Sequence, residues 1–140
     1  MISLHEPLLA GNEWKYIKNC LDQGWVSSAG KYVDIFEKKI EKYTCAKYAV
    51  ACVNGTSALQ ISLKLVGVQR GDEVIVPSMT FIAPVNAINY NNAKPIFMDN
   101  DDYYTIDVNK TIEFLNKKTR TIFRKQLPIT VNKKTGKHIV

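Results

Sequence analysis

The segment from Tyr48 to Asp99 sets the architecture of this chain, and its centre is the turn Asn54-Gly55-Thr56-Ser57. Upstream runs Tyr48-Ala49-Val50-Ala51-Cys52-Val53, apolar, uncharged and of strand length; downstream, Ala58 to Val66 has the composition and period of a helix. A strand, a glycine turn and a helix opened by hydroxyl residues make a place for an anion. The first N–H groups of a helix have no internal partner, and the helix dipole adds partial positive charge there. Gly55 is expected to let the chain turn tightly, and Thr56 and Ser57 to cap the helix and to donate to phosphate oxygens. Many α/β proteins open a helix this way merely to cap it, so on this stretch alone a capped helix without a ligand is the better reading.

The rest of the segment strengthens the case for a site. Arg70-Gly71-Asp72 turns into the strand Glu73-Val74-Ile75-Val76, closed by Pro77. Ser78-Met79-Thr80-Phe81 forms a second strand-to-helix corner, a short helix runs through Val85, Ala87, Ile88 and Tyr90, and Pro95-Ile96-Phe97-Met98-Asp99 reads as a third strand. Alternating strands and helices with apolar strands imply an α/β fold, a mainly parallel sheet with helices on both faces. In such sheets ligands gather at the C-terminal strand edge, where the corners at Gly55-Thr56-Ser57 and Thr80-Phe81 are both expected.

Outside that segment, Asn12 is expected to cap a first helix carrying Trp14, Ile17 and Leu21 on one face, stopped by Gly24. Gly24-Trp25-Val26-Ser27-Ser28-Ala29-Gly30 reads as a loop, and as a plain connector before it is read as a pocket wall. A second helix places Val33, Phe36, Ile40 and Tyr43 on one face against a solvated charged face. Asp107 is expected to cap a last helix through Ile112 and Leu115. Beyond Lys117 the period fades: Leu127 to Val131 suggests an edge strand, Asn132 to Lys137 a turn, and His138-Ile139-Val140 the start of another strand.

Composition limits the partners. The chain has 140 residues, enough for the core of one domain, with 46% hydrophobic and 23% charged residues. No apolar run approaches the roughly 20 residues of a membrane-spanning helix, and the amino terminus lacks the features of a secretory signal. The net charge of +6 is uneven: residues 1–116 hold 11 basic and 13 acidic side chains, and the last 24 residues hold 8 basic ones and no acid. The basic character therefore belongs to residues 117–140, expected to be a solvated, poorly ordered tail or an interrupted structural element, without the interleaved aromatics of a nucleic-acid binder. Cys20, Cys45 and Cys52 are odd in number and widely spaced, against a disulfide framework and suited to a reducing, cytoplasmic setting. His5 and His138 stand near opposite ends and support no metal site, and Asp99, Asp101 and Asp102 read as a solvated strand end before Mg²⁺ ligands. P-loop, dinucleotide and hydrolase-elbow motifs are absent.

Several motifs now align in order: Gly24 to Gly30, Phe36-Glu37, Asn54-Gly55-Thr56-Ser57-Ala58-Leu59, Gly71-Asp72-Glu73-Val74-Ile75-Val76-Pro77, Thr80-Phe81-Ile82-Ala83 and Asp99. Together they span nearly the whole chain, which resembles the DegT/DnrJ/StrS family of pyridoxal-phosphate (PLP) sugar aminotransferases, of aspartate-aminotransferase-like fold (PLP fold type I). The segments Pro7 to Glu13 and Asn132 to Lys137 look most like its bacillosamine and legionaminic acid branch. The resemblance implies that Gly55, Thr56 and Ser57 hold the PLP phosphate, that Phe81 stacks on the pyridine ring, and that Trp25, Val26, Ser27 and Ser28 touch the sugar substrate. It further implies transfer of an amino group, usually from glutamate, to a nucleotide-linked keto-sugar, in a homodimer and in surface polysaccharide or glycan synthesis.

The chain departs from the family at Cys45, where glycine is usual, at Pro84, where a small hydroxyl residue is common, and in length. The family's Schiff-base lysine and the aspartate pairing with the pyridine nitrogen fall beyond residue 140, so no residue here is nominated as catalytic. Residues 1–140 are thus expected to be the N-terminal portion of an aminotransferase large domain, inactive alone. The competing expectation is a stand-alone α/β protein that keeps the anion corner for another phosphate ligand, or for interaction, without catalysis.

Overall fold

Helical period and stop signals account for most elements of the computed structural model, which describes residues 2, 5–124 and 127–140. The chain divides into two units, Met1–Ala51 and Cys52–Val140.

The first unit carries α1 (Glu13–Asp22) and α2 (Lys31–Thr44). Asn12 stands at the N-cap of α1, yet its side chain makes no capping bond; the Glu13 carboxylate instead accepts the N–H of Gly11 at 2.8 Å. Gly24 adopts φ 70°, and the N–H of Trp25 reaches back to the Cys20 carbonyl at 2.9 Å, a Schellman closure. Cys45 ends α2 at φ 57°, in the same left-handed region where a side chain costs about 1–2 kcal/mol. Neither helix contains a buried residue, and Phe36 and Tyr43 on the expected inner face of α2 are 54% and 88% exposed.

The expected strand at Tyr48–Val53 does not form. Its composition suits a strand, but a strand exists only through a ladder, and here the N–H groups of Ala49 and Ala51 donate to carboxylates of α2, Glu41 at 3.3 Å and Glu37 at 2.8 Å.

The second unit contains α3 (Gly55–Leu65), β1 (Glu73–Pro77), α4 (Ile82–Tyr90), β2 (Lys94–Met98), α5 (Val108–Lys118), β3 (Thr119–Arg124) and β4 (Leu127–Asn132). The strands β1 and β2 pair in parallel from Glu73↔Lys94 to Pro77↔Met98, joined through α4, which makes the α/β class plain. The β-branched run of β1 supplies Val74 and Val76 to a core shared with Val68, Ile88 and Ala93, against which Leu63 and Val85 pack. Helix α3 packs on α4, and Asn91 at the end of α4 donates to the Gln60 carbonyl of α3 at 3.1 Å.

Residues 117–140 carry the end of α5, an antiparallel β3–β4 ladder from Thr119↔Asn132 to Arg124↔Leu127, and a turn closed by Gly136 N–H on the Asn132 carbonyl. Residues 138–140 then run parallel to β1, with Glu73 N–H on the His138 carbonyl at 2.7 Å and Val140 N–H on the Glu73 carbonyl at 2.9 Å. The buried Glu73 carboxylate accepts from Asn132 Nδ2 and Thr135 Oγ1, both at 2.9 Å, so each of its oxygens has a donor. Lys125 of the basic stretch lies outside the described residues, as do Met1, Ser3 and Leu4.

Candidate functional site

The first corner is the start of α3. Asn54, in extended conformation at the N-cap, accepts the Ser57 N–H on its side chain at 2.9 Å, and its carbonyl takes the Ala58 N–H. Capping therefore falls to Asn54, not to Thr56 or Ser57 as the sequence suggested. Asparagine before a helix is among the strongest caps, so the sequence carries this signal beside that of the hydroxyls. With the cap supplied, the N–H groups of Gly55 and Thr56 and the hydroxyls of Thr56 and Ser57 make no hydrogen bond among the described residues. No acidic residue stands in the first turn.

Gly55 also differs from expectation. It is the first helical residue and lies outside the left-handed region, so the turn does not require glycine there. A Cβ built on it meets nothing within 4 Å, so packing within the chain does not require it either. What the missing side chain does is leave the first two N–H groups open to close approach. A phosphate suits this donor set: two backbone N–H groups, two hydroxyls and the positive end of an eleven-residue helix dipole.

The second corner follows β1. Ser78 N–H extends the parallel ladder to the Met98 carbonyl at 2.7 Å, and Phe81 then takes the N-cap position of α4 with φ −63° and ψ 152°. Phe81 is 81% exposed at this corner. Pro84 occupies the third helical position, inside the first turn, where its missing N–H costs no helical bond.

Between the two strands' ends sits a residue that the sequence did not single out. Asn100, just past β2, accepts the Met79 N–H at 2.8 Å and the Ser78 hydroxyl at 3.1 Å through Oδ1. Its Nδ2 donates to the carbonyls of Met79 at 3.3 Å and Tyr104 at 2.9 Å. Those partners are 21 residues away, so nothing local in the sequence reports them.

The neighbouring carboxylates hold their own loop. Asp101 accepts from the N–H groups of Tyr103 and Thr105 and from the Thr105 hydroxyl, chiefly the last of which holds its carboxyl below the usual range. Asp99 pairs with Lys110 at 2.8 Å, an exposed contact that raises the lysine's pKa. Among the described residues no group of three or more His, Cys, Asp or Glu side chains is arranged to hold a metal ion.

Trp25, Val26, Ser27 and Ser28 belong to the first unit. Trp25 and Ser27 line a cleft of about 170 Å³ together with Cys20, Gln23, Lys31 and Tyr32, while Val26 and Ser28 do not. The Trp25 side chain stays 57% exposed, and Tyr32 donates from its hydroxyl to Asn19 at 2.9 Å. Among the described residues no helix is long and apolar enough to cross a membrane.

Residues 7–127 match the DegT/DnrJ/EryC1/StrS aminotransferase family. A GDP-perosamine synthase from Vibrio cholerae is 42% identical over 123 residues, covering 87% of this chain and 34% of that protein. A dTDP-3-amino-3,6-dideoxy-alpha-D-galactopyranose transaminase from Aneurinibacillus thermoaerophilus is 40% identical over 73% of this chain and 28% of its own length. Among solved structures, the PMP form of the putative sugar aminotransferase Spr1654 from Streptococcus pneumoniae superposes with TM-score 0.72 and 28% identity, over 80% of this chain and 28% of that one. A DegT DnrJ EryC1 StrS aminotransferase from Brucella abortus gives 0.66 at 34% identity, over 73% and 27%. The chain spans about a third of the length of the curated relatives it matches.

Proposed function

The chain belongs to the DegT/DnrJ/EryC1/StrS aminotransferase family, and from that premise we propose that it supplies the phosphate and ring end of a PLP site in a nucleotide-sugar aminotransferase. The observation that carries the reading is the start of α3, where Asn54 takes the capping role and leaves Gly55, Thr56 and Ser57 to a ligand.

The N–H groups of Gly55 and Thr56 and the hydroxyls of Thr56 and Ser57 would donate to the phosphate oxygens, with the α3 dipole adding to the attraction. Phe81 would cover one face of the pyridine ring and keep water from it. The bound cofactor supplies an electron sink for the carbon that carries the amino group. In the first unit, the cleft at Trp25 and Ser27, with Val26 and Ser28 on the same loop, would receive a nucleotide-linked keto-sugar; the relatives' GDP- and dTDP-sugar names support that class, and the bacillosamine and legionaminic acid precursors fall within it. Glutamate as amino donor, a homodimeric assembly and a cytoplasmic setting complete the reading.

Taken alone, residues 1–140 are proposed to hold the cofactor without turning it over, because the resemblance puts the Schiff-base lysine and the pyridine-pairing aspartate beyond Val140. The test is a titration of the purified chain with PLP, pyridoxal and inorganic phosphate. PLP should bind at least tenfold more tightly than pyridoxal, inorganic phosphate should compete, and borohydride should trap no single defined lysine. Equal affinity for PLP and pyridoxal would overturn the phosphate corner. Phosphate binding with no preference for PLP would favour the stand-alone phosphate-binding protein. Turnover with one borohydride-trapped lysine would overturn the claim that these residues do not catalyse alone.

A further inference from the structure

The β1–β2 ladder ends with the Ser78 N–H on the Met98 carbonyl, and the next peptide would be left without a strand partner. Asn100 fills that place. A carboxamide presents the same donor and acceptor as a peptide unit, and Asn100 uses them as a neighbouring strand would, pairing both the N–H and the carbonyl of Met79. Its second Nδ2 hydrogen goes to the Tyr104 carbonyl and its second Oδ1 lone pair to the Ser78 hydroxyl, so all four hydrogen-bonding positions of the amide are used. The two carbonyls it donates to and the N–H it accepts also fix which end of the amide is which.

Two residues beyond Met79 stands Phe81, which is 81% exposed. So little packing cannot aim the ring; its direction follows from the backbone that carries it, and that backbone is anchored at Met79 and at the first turn of α4. We propose that Asn100 is a positioning residue that aims Phe81 at the cofactor ring by holding the peptide of Met79. The inference rests on the proposed role of Phe81. Asparagine is required for it: alanine removes every bond, and aspartate keeps the acceptor for Met79 N–H while losing both donations.

The test is a double-mutant cycle read with three probes: PLP, pyridoxal and inorganic phosphate. Phe81→Ala should weaken PLP and pyridoxal about fivefold or more and leave inorganic phosphate unchanged. Asn100→Ala should show the same probe selectivity, and in the Phe81→Ala background should add no further loss. Asn100→Asp, which sets a carboxylate oxygen against the Met79 and Tyr104 carbonyls, should lose at least as much PLP and pyridoxal affinity as Asn100→Ala, and in the Phe81→Ala background should add no further loss of pyridoxal affinity. Additive losses, or an Asn100→Ala loss as large for inorganic phosphate as for PLP, would overturn the inference and leave Phe81 in place. An unchanged PLP affinity in Phe81→Ala would overturn the ring-stacking reading itself.

Discussion

The Glu37 carboxylate accepts the backbone N–H of Ala51 at 2.8 Å, across fourteen residues of sequence. One turn along α2, Glu41 does the same for Ala49 at 3.3 Å. Alternate N–H groups of an extended segment meet carboxylates spaced four apart on a helix, because two residues of extended chain and one helical turn cover similar lengths. Replacing Glu37 with Ala should speed amide exchange at Ala51 at least tenfold and cost roughly 1.5 kcal/mol, the lower end for a hydrogen bond to a charged acceptor. Glu37→Gln should recover most of the protection. Hydrogen exchange followed by NMR decides it.

Cys45 stands at φ 57°, in the left-handed region that favours glycine. Cys45→Gly should therefore stabilise the chain by about 1 kcal/mol, as removal of the Cβ relieves the left-handed backbone. A chemical-denaturation midpoint that fails to rise would contradict the assignment of strain to this residue.

Gly55 separates stability from binding. Its φ and its empty surroundings admit a methyl group, so Gly55→Ala should raise stability by roughly 0.5 kcal/mol through the unfolded chain. The same methyl group would stand over the N–H groups proposed to bind phosphate, and affinity for PLP should fall about tenfold or more, near 1.4 kcal/mol. Thermal melting and ligand titration on the one variant should move in opposite directions.

Acid should loosen the 101–105 loop. The Thr105 hydroxyl and the N–H groups of Thr105 and Tyr103 hold the Asp101 carboxyl below its unfolded value. The bonds thus contribute stability above the unfolded value, and that contribution is lost as the pH falls through the lower, folded one. Because Tyr104 in the same loop accepts from Asn100, the Met79 clamp should weaken over the same acid range. NMR titration of the Asp101 carboxyl alongside the Met79 and Thr105 amides tests the coupling; Asp101→Asn should remove the acid transition.

Period, turn residues and motif order were enough to place α1 to α5, β1 and β2, the caps at Gly24 and Asp107, a strand from Leu127 without its partner β3, and the family itself, because each depends on residues within a few positions of one another. Spacing reveals a helix face or a strand's alternation, and a glycine at a helix end reports its own backbone. Contacts between distant residues carry no such mark. Whether Tyr48–Val53 became a strand depended on a ladder, and α2 carboxylates took its N–H groups instead. Whether Thr56 or Asn54 capped α3 depended on which oxygen reached the Ser57 N–H. The N–H and carbonyl of Met79 went to Asn100, and the start of α3 kept open donors among the described residues, only when the chain had folded, because hydrogen-bonding partners are assigned by distance in space.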